Sequence, residues 1–178
     1  AMLLAHGFFK APLFLVTGIV DHATGTRDVR KLSGLWTSLR GSAVTAGAAA
    51  ASMAGLPPLL GFVGKEAGFE AFLAEDDLRG RLVTLALVAG SIFTVAYSAR
   101  FLWGAFGRKP GVADTTVHRP GPLLSWPAGL CALAGLVLGI ANPVVDVDAQ
   151  SYAAAYPATS PTEASYHLAL WHGLGLPL

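Results

Sequence analysis

The sequence predicts an all-α, polytopic membrane protein with about four transmembrane helices, the second of them broken. Three observations carry that prediction. Of 178 residues, 53% are hydrophobic and only 13% charged, and the mean hydropathy is +0.55. A soluble domain of this size carries about 25% charged residues to cover its core. The charges are also bunched, leaving apolar runs of roughly 20 residues, the length a helix needs to cross hydrocarbon. Finally, if four segments cross, the lysines and arginines of the loops gather on one side.

Segment one covers residues 1–21 and is apolar but for His6 and Lys10. Residues 22–40 form a polar connection holding Arg27, Asp28, Arg30, Lys31 and Arg40, with Gly25 and Gly34 bracketing one or two helical turns expected at the surface. Segment two, residues 39–74, is too long for a simple span. Its alanine run, Ala48 to Ala51, leads into Gly55-Leu56-Pro57-Pro58. Adjacent prolines remove two backbone donors and clash with the preceding turn, so the helix must stop there. It can restart at Pro58 or Leu59 and continue through Lys65, Glu66 and Glu70. A broken helix is tolerated in a membrane only where protein or a watery cavity solvates the freed backbone.

Residues 75–81 read as a short charged turn. Segment three, residues 82–106, is apolar apart from Arg100, near enough to one end to snorkel. Residues 107–121 are polar and basic, and segment four covers 122–141, ended by Asn142-Pro143. The mildly acidic tail, with Tyr152, Tyr156, Tyr166 and Trp171, is expected to lie along the membrane as one or two short helices split by Pro157 and Pro161. The chain therefore divides into a transmembrane helical part, 1–142, and an extracytoplasmic surface segment, 143–178, leading to a possible further helix.

With four crossings, the 22–40 and 107–121 connections share a side. That side holds seven basic residues: Arg27, Arg30, Lys31, Arg40, Arg108, Lys109 and Arg119. The other holds Arg79 and Arg81, against Glu75, Asp76, Asp77, Asp146, Asp148 and Glu163. Basic residues in short loops mark the cytoplasmic side, so the first side is assigned to the cytoplasm.

Several function classes drop out. The net charge of +1 and the lack of a basic stripe give no sign of nucleic acid. Cys131 is the single cysteine, which excludes an internal disulfide framework. No phosphate-cradling glycine loop or catalytic triad is visible. His118 has no Cys or second His at metal-ligand spacing, and His167 and His172 with Trp171 read as an interfacial anchor. No cofactor and no metal are expected. The opening apolar run lacks a basic n-region and a cleavage site, so it is not read as a signal peptide. It starts without a polar flank, and Gly-Leu-Pro-Leu at 175–178 reads like the approach to another segment. The chain is expected to be a fragment, or a small chain within a larger complex.

Charged groups inside the bilayer carry the chemistry. Each costs at least about 2.5–3.5 kcal/mol there and is rarely present without a partner or a role. Lys10 falls mid-way along segment one, with His6 one turn earlier on the same face. A desolvated lysine and a histidine titrating near neutrality can pass a proton between them. Lys65 and Glu66 stand on the restarted half of the broken helix, beside a break that can admit water. Glu70, at i+4 from Glu66, is expected near the outer surface and solvated, while Asp21 and His22 read as solvated or capping groups.

These residues lie in familiar strings. His6-Gly7-Phe8-Phe9-Lys10-Ala11-Pro12-Leu13-Phe14-Leu15 resembles the His-x-x-x-Lys helix of antiporter-like subunits, found in respiratory complex I, membrane-bound hydrogenases and multisubunit Mrp cation/proton antiporters. Gly25-Thr26-Arg27-Asp28-Val29-Arg30-Lys31-Leu32-Ser33-Gly34-Leu35 is similar to the loop that follows it in that family. Gly55-Leu56-Pro57-Pro58 with Gly61-Phe62-Val63-Gly64-Lys65-Glu66 resembles its broken helix. The three motifs, in order over roughly the first 110 residues, correspond to the eleventh through fourteenth helices of the family's fold. Val20-Asp21-His22-Ala23-Thr24-Gly25-Thr26-Arg27-Asp28, the tail Tyr166-His167-Leu168-Ala169-Leu170-Trp171-His172-Gly173, and the acid Glu66 after Lys65 resemble the large A-type branch of Mrp-type Na+/H+ antiporters.

The resemblance implies that Lys10 is the central-axis lysine with His6 as its relay, and that Lys65 serves the outward-leading half channel with Glu66 beside it. It implies inward proton translocation through this lysine/histidine relay coupled to export of Na+ (or K+), in a bacterial cell membrane and alongside other subunits. Two departures stand against it. Met2 occupies the place where many complex I relatives carry a further histidine, and the family's earlier broken helix, with its lysine and partner glutamate, is not in this chain. Two other readings remain: the equivalent proton-pumping membrane-arm subunit of a complex I-like NADH:quinone oxidoreductase or membrane-bound hydrogenase, and a non-transporting scaffold.

Overall fold

The structure, a computed structural model, describes residues 1–75, 77–153, 155 and 168–170. Seven α-helices follow one another among these: α1 (Met2–Thr24), α2 (Leu35–Ser38), α3 (Arg40–Ala54), α4 (Leu60–Leu73), α5 (Leu78–Phe106), α6 (Pro122–Ile140) and α7 (Asn142–Ala153), with a 3-10 turn at Val29–Lys31. Three are long and apolar enough to cross a membrane: α1 (23 residues), α5 (29) and α6 (19). At about 1.5 Å per residue, α3 and α4, with 15 and 14 residues, each fall short of a hydrocarbon core of about 30 Å. They form the interrupted second element the sequence predicts.

The break begins where two prolines cannot continue a helix. Gly55 adopts a left-handed conformation (φ 85°) that a residue with a Cβ rarely takes. Its N–H donates to Ser52 O and that of Leu56 to Ala51 O, both at 3.0 Å, so the last carbonyls of α3 are satisfied within the turn. The Pro57–Pro58 peptide is cis. The restarted helix is wedged against α6 at Gly139, where an added Cβ would stand 2.6 Å from Leu60 N and clash with Pro58 O. Backbone groups freed by the break are thereby packed against protein, as a membrane interior demands.

Around this break, α1 packs against α3, α4 and α6, while α5 lies on the far side of α3 and α4. The alanine-rich face of α3 (Ala43, Ala46, Ala50) is buried, small side chains letting helices approach closely. Two buried clusters result. One gathers Val16, Ile19, Leu32, Leu35, Leu39 and Phe106. The other gathers Ala5, Phe9, Met53, Leu60 and Val63 with Val145 and Leu168. By contrast, α5 presents Leu82, Leu85, Ile92, Phe93 and Trp103 outward.

The connections expected to share a side meet directly. Gly34 N donates to Gly107 O (3.1 Å), and Lys109 Nζ donates to the carbonyls of Leu32 (2.6 Å), Gly104 (2.7 Å) and Val29. Arg108 pairs with Asp114 at 2.6 Å. The N–H of His118 donates to Ala23 O at the end of α1.

Several boundaries depart from expectation. The 22–40 connection does not merely lie at the surface: Leu32, Ser33 and Leu35 are buried, because the 107–121 loop covers them. The expected charged turn at 75–81 is largely the first turn of α5, begun by Asp77, whose carboxylate accepts from Gly80 N (2.7 Å). Asn142-Pro143 does not merely end a helix but opens α7, since proline is at home in a first turn, where its N–H is not needed. Asp21 accepts an ion pair from Arg27 at 2.8 Å. Asp76, Glu163, Tyr156, Tyr166, His167, Trp171, His172 and the Pro157/Pro161 punctuation lie outside the described residues.

Candidate functional site

Lys65 stands one turn into α4, and its stem folds back over the break. A Cβ at Gly55 would stand 2.8 Å from Lys65 Cδ, so a larger residue there would have to push the lysine stem aside. The ammonium then donates to Ala54 O at 3.1 Å. Ala54 is the last residue of α3, where the helix dipole presents partial negative charge to a cation. One lysine thus ties the two halves of the interrupted helix together.

Glu66 follows on the buried face of α4 and is 5% exposed. With Lys65 it lines a cavity of about 170 Å³, completed by Ala54, Gly55, Phe62, Phe69 and, from α5, Ser91. A lysine, a buried carboxylate and a hydroxyl thus surround a space large enough for water. Glu70, one turn further along α4, is half-buried.

Lys10 sits elsewhere, half-buried on α1, its Nζ 5.9 Å from the centroid of the Tyr97 ring of α5. His6, one turn earlier, is exposed, with its ring 5.2 Å from that of Phe9. Lys65 and Glu66 are therefore brought into one cavity, while Lys10 and His6 do not line it.

Sequence reasoning found α5 as an apolar segment but missed its hydroxyl-bearing face. Read as apolar apart from Arg100, this helix carries hydroxyls at Thr84, Ser91, Thr94 and Ser98, spaced by seven, three and four, which puts them on one face. Thr94 Oγ1 donates back to Gly90 O (2.8 Å) and Ser98 Oγ to Thr94 O (2.6 Å), a local bonding that hides hydroxyls in an apolar helix. Tyr97, next to that face, touches Lys10 and also donates its hydroxyl to Met53 Sδ at 3.1 Å. The seven-residue hydroxyl spacing was the available signal.

The family described as NADH:quinone oxidoreductase/Mrp antiporter, TM, matches residues 1–94, which hold Lys10, the break, Lys65 and Glu66. The chain belongs to that family. A protein of Rhizobium meliloti (strain 1021), named as the A/B subunit of a probable K(+)/H(+) antiporter, is 39% identical over 178 aligned positions, covering 97% of this chain and 18% of its own length. The A1 subunit of the Na(+)/H(+) antiporter of Staphylococcus aureus (strain JH9) is 39% identical over 147 residues, 78% of this chain and 18% of its own. Among solved structures, one chain of the Mrp complex from Dietzia sp. DQ12-45-1b superposes with a TM-score of 0.76 at 38% identity, over 97% of this chain and 18% of that one. The chain thus spans about 18% of the length of the relatives it matches.

Proposed function

We propose that this chain is part of the A-type subunit of a multisubunit antiporter that exchanges protons for a monovalent cation, Na+ or K+, across a bacterial inner membrane. The observation that carries the reading is Lys65 reaching across the helix break to Ala54, with Glu66 buried beside it around one cavity. The relatives named as Na(+)/H(+) and K(+)/H(+) antiporter subunits support cation/proton exchange as the activity and leave both cations in play.

In this reading Lys65 and Glu66 load and release a proton at the outward-leading half channel, and Lys10, with His6 as relay, occupies the central axis. Each protonation changes the field at the neighbouring site. A unit charge matters far more in a poorly solvated interior than in water, so charge states of two lysines can gate one another and the passing cation. Residues 1–142 are the transmembrane part and 143–178 an extracytoplasmic surface segment. The apolar faces of α1 and α5 meet lipid or further subunits.

The family description also names NADH:quinone oxidoreductase, so a redox-driven membrane-arm subunit is the second reading. Everted vesicles from antiporter-deficient cells carrying the complete parent complex separate the two. Dissipation of ΔpH on adding Na+ or K+ is the expected result. A ΔpH generated from an electron donor, with no response to either cation, would replace antiport with redox pumping.

A further inference from the structure

We infer that Tyr97 is a positioning residue that holds the Lys10 ammonium against α5 and links it to the helix break through Met53. The inference rests on the antiport reading for its transport consequences, but the pairing itself is geometric. Lys10 Nζ lies 5.9 Å from the Tyr97 ring centroid, within the range at which an aromatic face attracts a cation. The phenol of the same side chain donates to Met53 Sδ at 3.1 Å. Met53 is buried in the last turn of α3, one residue before Ala54, the acceptor of the Lys65 ammonium. A single side chain of α5 therefore touches the α1 lysine on one side and, on the other, the turn that Lys65 caps.

The two lysines do not share a cavity, so some element must relate their positions, and Tyr97 is placed to do so. A shift of Lys10 displaces the ring, and the ring is tied to the end of α3 where Lys65 docks. The position is 45% exposed within this chain, so replacing it with another large apolar side chain leaves the buried clusters intact. Phenylalanine keeps the cation-binding face and loses the bond to sulfur; leucine loses both.

The test uses the whole complex in everted vesicles at equal assembled levels. Tyr97→Phe, which keeps the ring against Lys10 and loses the bond to Met53, is expected to slow the sodium-induced ΔpH collapse about two-fold. Tyr97→Leu is expected to fall about five-fold or more, with half-saturating sodium unchanged. An unaffected leucine variant, or a phenylalanine variant as slow as the leucine one, overturns the role assigned to the ring. Melting of the solubilised complex with Lys10→Met, Tyr97→Leu and both tests the pair without transport. The double variant should lower the melting midpoint by less than the sum of the two single lowerings, the bond to Met53 being lost with or without Lys10; additive lowering overturns the pairing. If the unaltered complex answers to no cation, the antiport reading falls, and the melting comparison still decides on Tyr97.

Discussion

Ser33 and Thr115, 82 positions apart, hold each other twice: Ser33 N donates to Thr115 Oγ1 and Thr115 N donates to Ser33 O, both at 2.9 Å. This pair, with Lys109 on the carbonyls of Leu32 and Gly104, joins the loop after α1 to the loop after α5. The ends of α1 and α5 are thereby fixed relative to each other at the basic face. Ser33 is fully buried, so its N–H has no solvent to fall back on.

Thr115→Val, which keeps the shape and removes the acceptor, should therefore destabilise by about 1–3 kcal/mol, the cost of a buried donor left unmade. Hydrogen exchange at Ser33 should accelerate, with no change deep in α6. Unaltered exchange at Ser33 would mean the contact contributes nothing.

Close packing at the break gives a steric prediction. Gly139→Ala places a Cβ against Leu60 N and Pro58 O, and should cost about 1–3 kcal/mol through forced backbone shifts. Gly90→Ala in α5 meets nothing within 4 Å and should be neutral or gain about 0.5–1 kcal/mol from helix propensity. Melting midpoints of the two variants should move in opposite directions, or the first alone should fall.

Asp28 supplies a pH prediction outside the membrane. Its carboxylate takes side-chain hydrogen bonds from Arg30 and a backbone one from the same residue, which hold its pKa down to about 2 from 3.8. Because the folded value is depressed, the contribution is present above pH 3.8 and is lost as pH falls toward about 2. The pair is exposed, so the effect is local and weakened by salt. Hydrogen exchange across residues 28–31 should quicken over that window, and Asp28→Asn should flatten the dependence. A wild-type profile flat from pH 4 to pH 2 would contradict it.

Much of this architecture could be read from the chain. Pro57-Pro58 dictated the break because its consequence is local and steric, and the long apolar segments dictated α1, α5 and α6 because lipid tolerates little else. Lys65 and Glu66 were legible as charges beside that break, but that Lys65 folds back onto Ala54 was not, since nothing in the spacing says which way a long side chain turns. Tyr97 was invisible for a similar reason: its partners, Lys10 and Met53, come from two other helices. Asn142-Pro143 misled because the same pair can stop one helix and start the next. The burial of Leu32 and Ser33 depends on a loop some 80 residues away.

The most direct test of the central claim is cation-dependent ΔpH in everted vesicles, with the complete complex unaltered or carrying Lys10→Ala or Lys65→Ala at equal expression. The account predicts that sodium or potassium collapses ΔpH in the unaltered complex and that either substitution abolishes the response. An active complex in which both substitutions are silent would contradict the assignment of proton transfer to these lysines.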